Sequence, residues 1–285
     1  MQAIGREKME EIKTILKESE FAFKKQFGQN FITDGNLLRA IVSDAGVGEE
    51  TTVVEIGPGA GTLTRALSEK AKQVYAFEID QSLQPVLERT LAGVENVEVI
   101  FKDFMKVNLS ELERTLPPYT VVANIPYYIT TPLVMRFVEE SEKVQAIVVM
   151  VQEEVARRFC AEAGSPDYGA VTAGIALRGR AKILRKVPKT LFYPVPKVDS
   201  AIVKIEMGGG VSVSDRKTYR DVVRCAFSSR RKTLENNLMN GFRLSREEAG
   251  AILQEANVDE KARGETLSPA RLALLSDVMY RRLTR

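Results

Sequence analysis

"VVEIGPGAGTLT", residues 53–64, is the stretch on which the fold turns. An apolar, β-branched run enters Gly57, Gly59 and Gly61, and the helix-forming segment "TLTRALSEKA" follows at once. Glycines let the backbone bend sharply and approach a ligand closely, while the start of the next helix offers unpaired N–H groups. A Gly-rich turn of this kind also occurs with no ligand at all. Its partner is Glu78, which ends the next strand, "QVYAFEI", about twenty residues on, where an acidic side chain commonly binds ribose hydroxyls.

Two nucleoside classes share that layout, dinucleotides and S-adenosylmethionine. The dinucleotide fingerprint G-x-G-x-x-G wants its third glycine at position 62, where this chain has Thr62 after Gly61. Glu55, just before the loop, adds a negative charge that suits a cationic sulfonium and an amino group better than a pyrophosphate. Asp103, in "VEVIFKDF", is placed to accept from an adenine amino group, and it also reads as an ordinary turn aspartate.

Outward from the loop, strands alternate with helical spacers. "GNLLRAIVSDAG" precedes it with helical spacing, and "DQSLQPVLERTL" and "PLVMRFVEES" are later helices. "VEVIF", "YTVVAN" and "VQAIVVMVQ" read as strands, with "AKILRKV" and "SAIVKI" as the last two. This alternation predicts an α/β fold, a mainly parallel sheet covered on both faces. At "EMGGGVSVSD", residues 206–215, the texture changes to a Gly/Ser hinge, and the chain beyond it is helical. From Met207 onward fifteen Lys and Arg stand against ten Asp and Glu, a net +5 in a chain whose whole is +3. The asymmetry points the tail at a polyanion, with Arg230, Arg231 and Lys232 concentrated in "SSRRK"; a solvated helix face is the alternative.

"NIPYYITTP", residues 124–132, follows the strand "YTVV". Pro126 stops the ladder there, yet a turn alone would not require Asn124 and Tyr127 at the mouth of a sheet, where open α/β folds place ligands. What would want an amide oxygen beside an aromatic face is a question that the turn by itself leaves open.

Composition removes other chemistries. Of 285 residues, 44% are hydrophobic and 28% charged, as in ordinary soluble proteins, and no apolar run is long enough for a membrane span. The charged N-terminus lacks a signal-peptide core, which predicts a cytoplasmic protein. Cys160 and Cys225 stand apart, so neither a disulfide framework nor a thiolate zinc site is expected. The absence of His excludes Ser-His-Asp and Cys-His nucleophiles, imidazole-bound zinc and histidine bases together.

"FGQNF" at 27–31, "EIGPGAGTLT", "FEID", "NIPYYITTP", "MVQEEVARR", "FYPVPKVDSAIVKI" and "FSSRRKTLENNL" occur in the order found in small-subunit ribosomal RNA adenine dimethyltransferases, and the chain resembles that family from about residue 21 to its end. The resemblance implies a seven-stranded Rossmann-like methyltransferase sheet with one strand reversed. It divides the chain into an N-terminal helical extension (1–20), an S-adenosylmethionine-binding domain (21–206) and a helical RNA-binding domain (207–285). Carried over by motif, Asn30 and Ile32 close over the cofactor, Gly57 faces its amino-acid portion, Glu78 its ribose and Asp103 its adenine. Asn124 then bridges cofactor and substrate. Ile32 departs from the more usual Leu of that motif.

Catalysis is expected at Asn124, the Ile125 carbonyl, Pro126 and Tyr127, with Phe192 as a second aromatic wall, and no metal is expected. The implied substrate is two adjacent adenosines near the 3′ end of small-subunit rRNA, dimethylated within an assembling ribosomal subunit by a monomeric enzyme. Two other readings stay open. One is a related large-subunit rRNA methyltransferase, which fits "FYPVPKVDSA" and "FSSRRKTLENNL" less well. The other is a non-catalytic RNA-binding assembly factor, against which Gly57, Glu78, Asp103 and Asn124 speak.

Overall fold

The computed structural model describes residues 31–32 and 34–284, the side chain of Tyr127 excepted. The expectations for the 1–20 extension, for Asn30 and for the ring of Tyr127 lie outside the described residues.

In chain order the strands are β1 (Phe31–Ile32), β2 (Thr52–Ile56), β3 (Gln73–Glu78), β4 (Val97–Phe101), β5 (Tyr119–Ala123), β6 (Val144–Gln152), β7 (Gly179–Val187), β8 (Phe192–Tyr193) and β9 (Ser200–Met207). The α-helices are α1 (Gly35–Ala45), α2 (Thr62–Ser68), α3 (Gln84–Thr90), α4 (Leu109–Thr115), α5 (Tyr127–Glu140), α6 (Glu153–Phe159), α7 (Ala170–Ile175), α8 (Arg216–Ala226), α9 (Leu234–Phe242), α10 (Arg246–Glu255) and α11 (Pro269–Leu283). Seven strands form one sheet in the order β4-β3-β2-β5-β6-β9-β7. From β4 to β6 neighbours are parallel, and β9 runs antiparallel to β6. The sheet is thus the seven-stranded, one-reversed arrangement.

Every residue of β2 and β5 is buried, as central strands covered by helices on both faces require. From β2 the chain works outward through β3 and β4, then returns to place β5 on the other side of β2. The carboxyl ends of β2 and β5 therefore form a topological switch point, where open α/β sheets leave a crevice for ligands.

Local chemistry sets the helix boundaries. Asp34 caps α1 by accepting from Leu37 N–H at 2.7 Å, and Gly46, at φ 73°, ends it in the left-handed region that glycine adopts without strain. The helix expected at "PLVMRFVEES" in fact begins at Tyr127, directly after Pro126. Pro132 sits in its second turn, where the missing N–H removes a single hydrogen bond, so proline does not mark the start of this helix.

The chain forms two compact units. One contains residues up to Ala156 together with Lys182–Glu206; the other contains Arg157–Ala181 and Met207 onward. The segment Arg157–Ala181, assigned to the first domain by the sequence reading, packs with the helical tail. Two buried tyrosines explain this: Tyr168 donates to the Leu267 carbonyl at 2.8 Å, and Tyr219 donates to the Ala173 carbonyl at 2.9 Å. Around them Val222, Leu234, Leu253 and Leu275 form the core of that unit.

Candidate active site

Four of the expected residues come together because adjacent strands end together. Ile56 is in register with Phe77 on β3 and with Ala123 on β5, and Glu78 is in register with Phe101 on β4. Gly57, Glu78, Asp103 and Asn124 therefore stand at or just beyond the carboxyl ends of four neighbouring strands.

The glycine loop is built for close approach. Gly57, Gly59 and Gly61 have φ of 73°, 58° and 81°. At Gly57 a Cβ would stand 2.9 Å from Cγ2 of Ile125, and at Gly59 one would stand 2.7 Å from Cε1 of Phe31. The loop is thus packed beneath the Asn124–Pro126 turn on one side and against the Phe31 ring on the other. Phe31 is held by β1, which pairs antiparallel with β8 in the registers Phe31 with Tyr193 and Ile32 with Phe192. Phe31–Ile32 and Phe192–Tyr193, about 160 residues apart in the chain, meet as one small ribbon beside the loop.

Glu78 is buried, and its carboxylate accepts from Gly59 N–H at 3.1 Å and from Asp80 N–H at 2.8 Å. Burial raises its pKa, and those two hydrogen bonds oppose the rise. Asp103 caps a short 3₁₀ turn, accepting from Met105 N–H at 3.0 Å, and its other oxygen lies 3.8 Å from the Lys106 ammonium. It is therefore both the turn aspartate and a half-buried acceptor at the site. Arg136 on α5 donates to the Phe104 carbonyl at 2.6 Å and also to that of Val107, so the helix that follows Asn124 holds the turn that carries Asp103.

Glu55 is 1% exposed, and neither of its oxygens has a hydrogen-bond partner. The Thr64 hydroxyl lies beside it without reaching hydrogen-bond geometry. Burial pushes its pKa up to about 8; the neighbouring Thr64 hydroxyl opposes the rise, and the nearby Glu78 adds to it. A buried, unsatisfied carboxyl under a glycine loop is what an incoming cationic group would satisfy, so these residues fit a ligand bearing a sulfonium and an ammonium.

Asn124 is half-buried at the end of β5, followed by buried Ile125. Pro126 takes the cap position of α5, and its carbonyl accepts from Ile129 N–H at 3.1 Å. At the far end of β5, Tyr119 donates to Glu113 at 2.7 Å, and Glu113 also accepts from Ser141 and from Glu142 N–H. The strand that presents Asn124 is anchored at its base.

Phe192 differs from the open wall expected of it. It is 3% exposed and belongs to the core cluster of Ile32, Leu37 and Ile41, because its place in β8 turns it toward β1 and α1. Among the described residues, the exposed aromatics here are Tyr128 (70%) and Tyr193 (45%). Ile79, directly after Glu78, holds a large apolar side chain 51% exposed. None of these three was singled out from the sequence; an isoleucine between two acids in "FEID" was the available signal for the last.

In the helical unit, Arg230 is exposed like its two neighbours, but its guanidinium is engaged within the fold. It donates to the Tyr168 carbonyl at 2.6 Å and the Pro166 carbonyl at 3.1 Å, and lies 3.4 Å from Glu265. Arg231 and Lys232 are exposed on the same turn, which buried Asn237 holds by donating to the Ala226 and Ser229 carbonyls. Among the described residues there is no group of three or more Cys, Asp or Glu placed to hold a metal ion, and no helix long and apolar enough to cross a membrane.

This sheet order with one reversed strand, the glycine loop and the acidic residues at successive strand ends define an S-adenosylmethionine-dependent methyltransferase. The model of one family, ribosomal RNA adenine dimethylase, matches residues 20–274. The chain belongs to that family. A Bacillus licheniformis relative, ribosomal RNA small subunit methyltransferase A, is 44% identical over 274 residues, covering 93% of this chain and 94% of the relative. The protein of that name in Geobacillus thermodenitrificans is 41% identical over 276 residues, 94% of each. Among solved structures, a Plasmodium falciparum dimethyladenosine transferase superposes with a TM-score of 0.73 at 25% identity, over 86% of this chain and 95% of that one. The 23S rRNA methyltransferase ErmE superposes with a TM-score of 0.67 at 28% identity, over 88% and 99%.

Proposed function

We propose that this rRNA adenine dimethyltransferase acts on two adjacent adenosines near the 3′ end of small-subunit rRNA, within an assembling subunit, as a cytoplasmic monomer. The observation that carries the reading is the convergence of Gly57, Glu78, Asp103 and Asn124 at four neighbouring strand ends. S-adenosylmethionine supplies a methyl group on a cationic sulfur. Glu78 holds its ribose, Asp103 its adenine and Gly57 its amino-acid portion, while Ile32 and Asn30 close over it.

An adenine amino group is a poor nucleophile because its lone pair is delocalised into the ring. The Asn124 side-chain oxygen and the Ile125 carbonyl accept hydrogen bonds from its two N–H groups, which frees the lone pair to turn toward the methyl group; the one proton lost on methylation passes to solvent. Alignment and water exclusion matter more here than a strong base, so a chain without histidine suffices. Pro126 stiffens the turn and Tyr127 stacks on the flipped base, an interaction worth about 1–3 kcal/mol. Phe192 takes part from beneath the β1–β8 ribbon, as support for the exposed residues above it. Arg231 and Lys232 bind phosphates, and Arg230 holds their turn in place.

Identities of 41–44% to small-subunit enzymes favour that substrate over the large-subunit one suggested by the likeness to ErmE. Incubation of immature small subunits with labelled cofactor, followed by nucleoside analysis, tests the reading. Labelled N6,N6-dimethyladenosine is the expected product; label appearing only with large-subunit RNA overturns it.

A further inference from the structure

Glu55 is the least satisfied polar side chain at the site, and the methylation mechanism gives it no part. It lies two residues before Gly57, on β2 between β3 and β5, in register with Ala76 and Val122. Both oxygens are buried without a partner. The polar groups that face it are the Thr64 hydroxyl from α2 and the Glu78 carboxyl from β3; among the described residues no lysine or arginine contributes to its charge balance. Leaving an ionised carboxylate in such a place is costly, and a second carboxyl close by makes it more so.

We propose that Glu55 carries a proton in the protein without cofactor and gives it up to solvent when the cofactor's ammonium group arrives, so that binding S-adenosylmethionine releases about one proton at neutral pH. The step balances: the carboxylic acid O–H bond breaks, the proton passes to buffer, and the carboxylate left behind is neutralised by the incoming cation. A pKa of about 8 before binding agrees with this geometry.

The direction of the pH effect follows. A free α-amino group has a pKa near 8, so below about pH 7 the ligand is already cationic and the remaining cost is removal of the Glu55 proton. That cost grows as pH falls. Affinity should therefore weaken toward about tenfold for each pH unit lost below neutrality.

The test is calorimetric titration of the intact protein with S-adenosylmethionine at neutral pH, in buffers of different ionisation enthalpy. Wild-type heats should change with buffer by an amount matching release of about one proton, and Glu55→Gln should bind with heats independent of buffer. Buffer-independent heats in the wild type, or the same dependence in Glu55→Gln, overturn the proposal. A complete lack of binding heat in the wild type would instead strike at the cofactor site itself. Should Glu55→Gln fail to fold or bind, infrared difference spectra of the wild type decide the matter. Loss of a protonated-carboxyl stretch on adding cofactor supports the proposal, and its persistence overturns it.

Discussion

Glu78, at the end of β3, accepts a hydrogen bond from the backbone N–H of Gly59 at 3.1 Å, so the carboxyl at this strand end also shapes the glycine loop beside it. Its other oxygen holds Asp80 N–H at 2.8 Å. Removing the side chain leaves two backbone donors without their acceptor and deletes the proposed ribose contact. Hydrogen bonds to charged groups contribute about 1.5–3 kcal/mol. Glu78→Ala should therefore weaken cofactor binding by roughly ten- to a hundredfold and lower the melting temperature in the same variant. Calorimetric titration beside thermal denaturation checks both; an unchanged melting temperature would show that the loop does not depend on this hydrogen bond.

The methylation step proposed above rests on Asn124. Asn124→Ala deletes the side-chain oxygen proposed to accept one amino hydrogen, while the glycine loop, Glu78 and Asp103 are untouched. The expected result is cofactor binding retained at least in part, with methylation of immature small subunits lost. A variant that turns over at the wild-type rate would remove amide-assisted orientation from the mechanism.

Gly59 tests the union of loop and ribbon. A left-handed conformation costs a non-glycine residue roughly 1–2 kcal/mol, and here the added methyl would also stand 2.7 Å from the Phe31 ring. Gly59→Ala should displace β1 from the loop and weaken cofactor affinity by more than the conformational cost alone. Gly93→Ala, at φ 75° with open space around it, is the control for conformation without collision. Equal effects in the two would mean that packing against Phe31 contributes nothing.

How much of this was legible from residues alone depends on where each signal sits along the chain. The strand-end positions of Glu78 and Asp103 were legible because a parallel sheet repeats: each strand announces its own end. The position of Asn124 was legible for the same reason, with Pro126 marking the stop. The β1–β8 ribbon was not, since its two-residue strands carry no periodicity and its halves lie far apart in sequence. The burial of Phe192 was missed with it, because aromatic character does not say which face of a ribbon a ring takes. Arg230 looked like its neighbours in "SSRRK", and only the fold of Arg157–Ala181 brings two carbonyls against its guanidinium.

That difference between neighbours yields a separable pair of variants. Arg231→Glu with Lys232→Glu should leave stability near that of the wild type and weaken RNA association, with the salt dependence flattened by about one unit of slope for each phosphate no longer neutralised. Arg230→Glu should lower stability, because the Tyr168 and Pro166 carbonyls lose their donor and Glu265 meets a like charge. Filter binding across a salt series and urea denaturation separate the two effects. Unchanged RNA affinity in the double variant would return Arg231 and Lys232 to the solvated surface.

Glu55 also gives a signature in folding. An ordinary glutamate has a pKa of 4.5, and burial pushes this one up to about 8. The folded protein therefore holds a proton that the unfolded chain has released at intermediate pH. The stability linked to this group is fully present below the lower value and is lost as pH rises toward the upper one, where the loss levels off. The size is on the order of a few kcal/mol between those limits. Glu55→Gln cannot titrate, so its stability relative to the wild type should climb from about pH 5 to about pH 8 and stay flat above. Glu78, whose pKa is also raised, titrates in both proteins and largely cancels in the comparison. Denaturant midpoints measured across that range for the two proteins decide the point: parallel pH profiles would mean that Glu55 is already ionised in the fold.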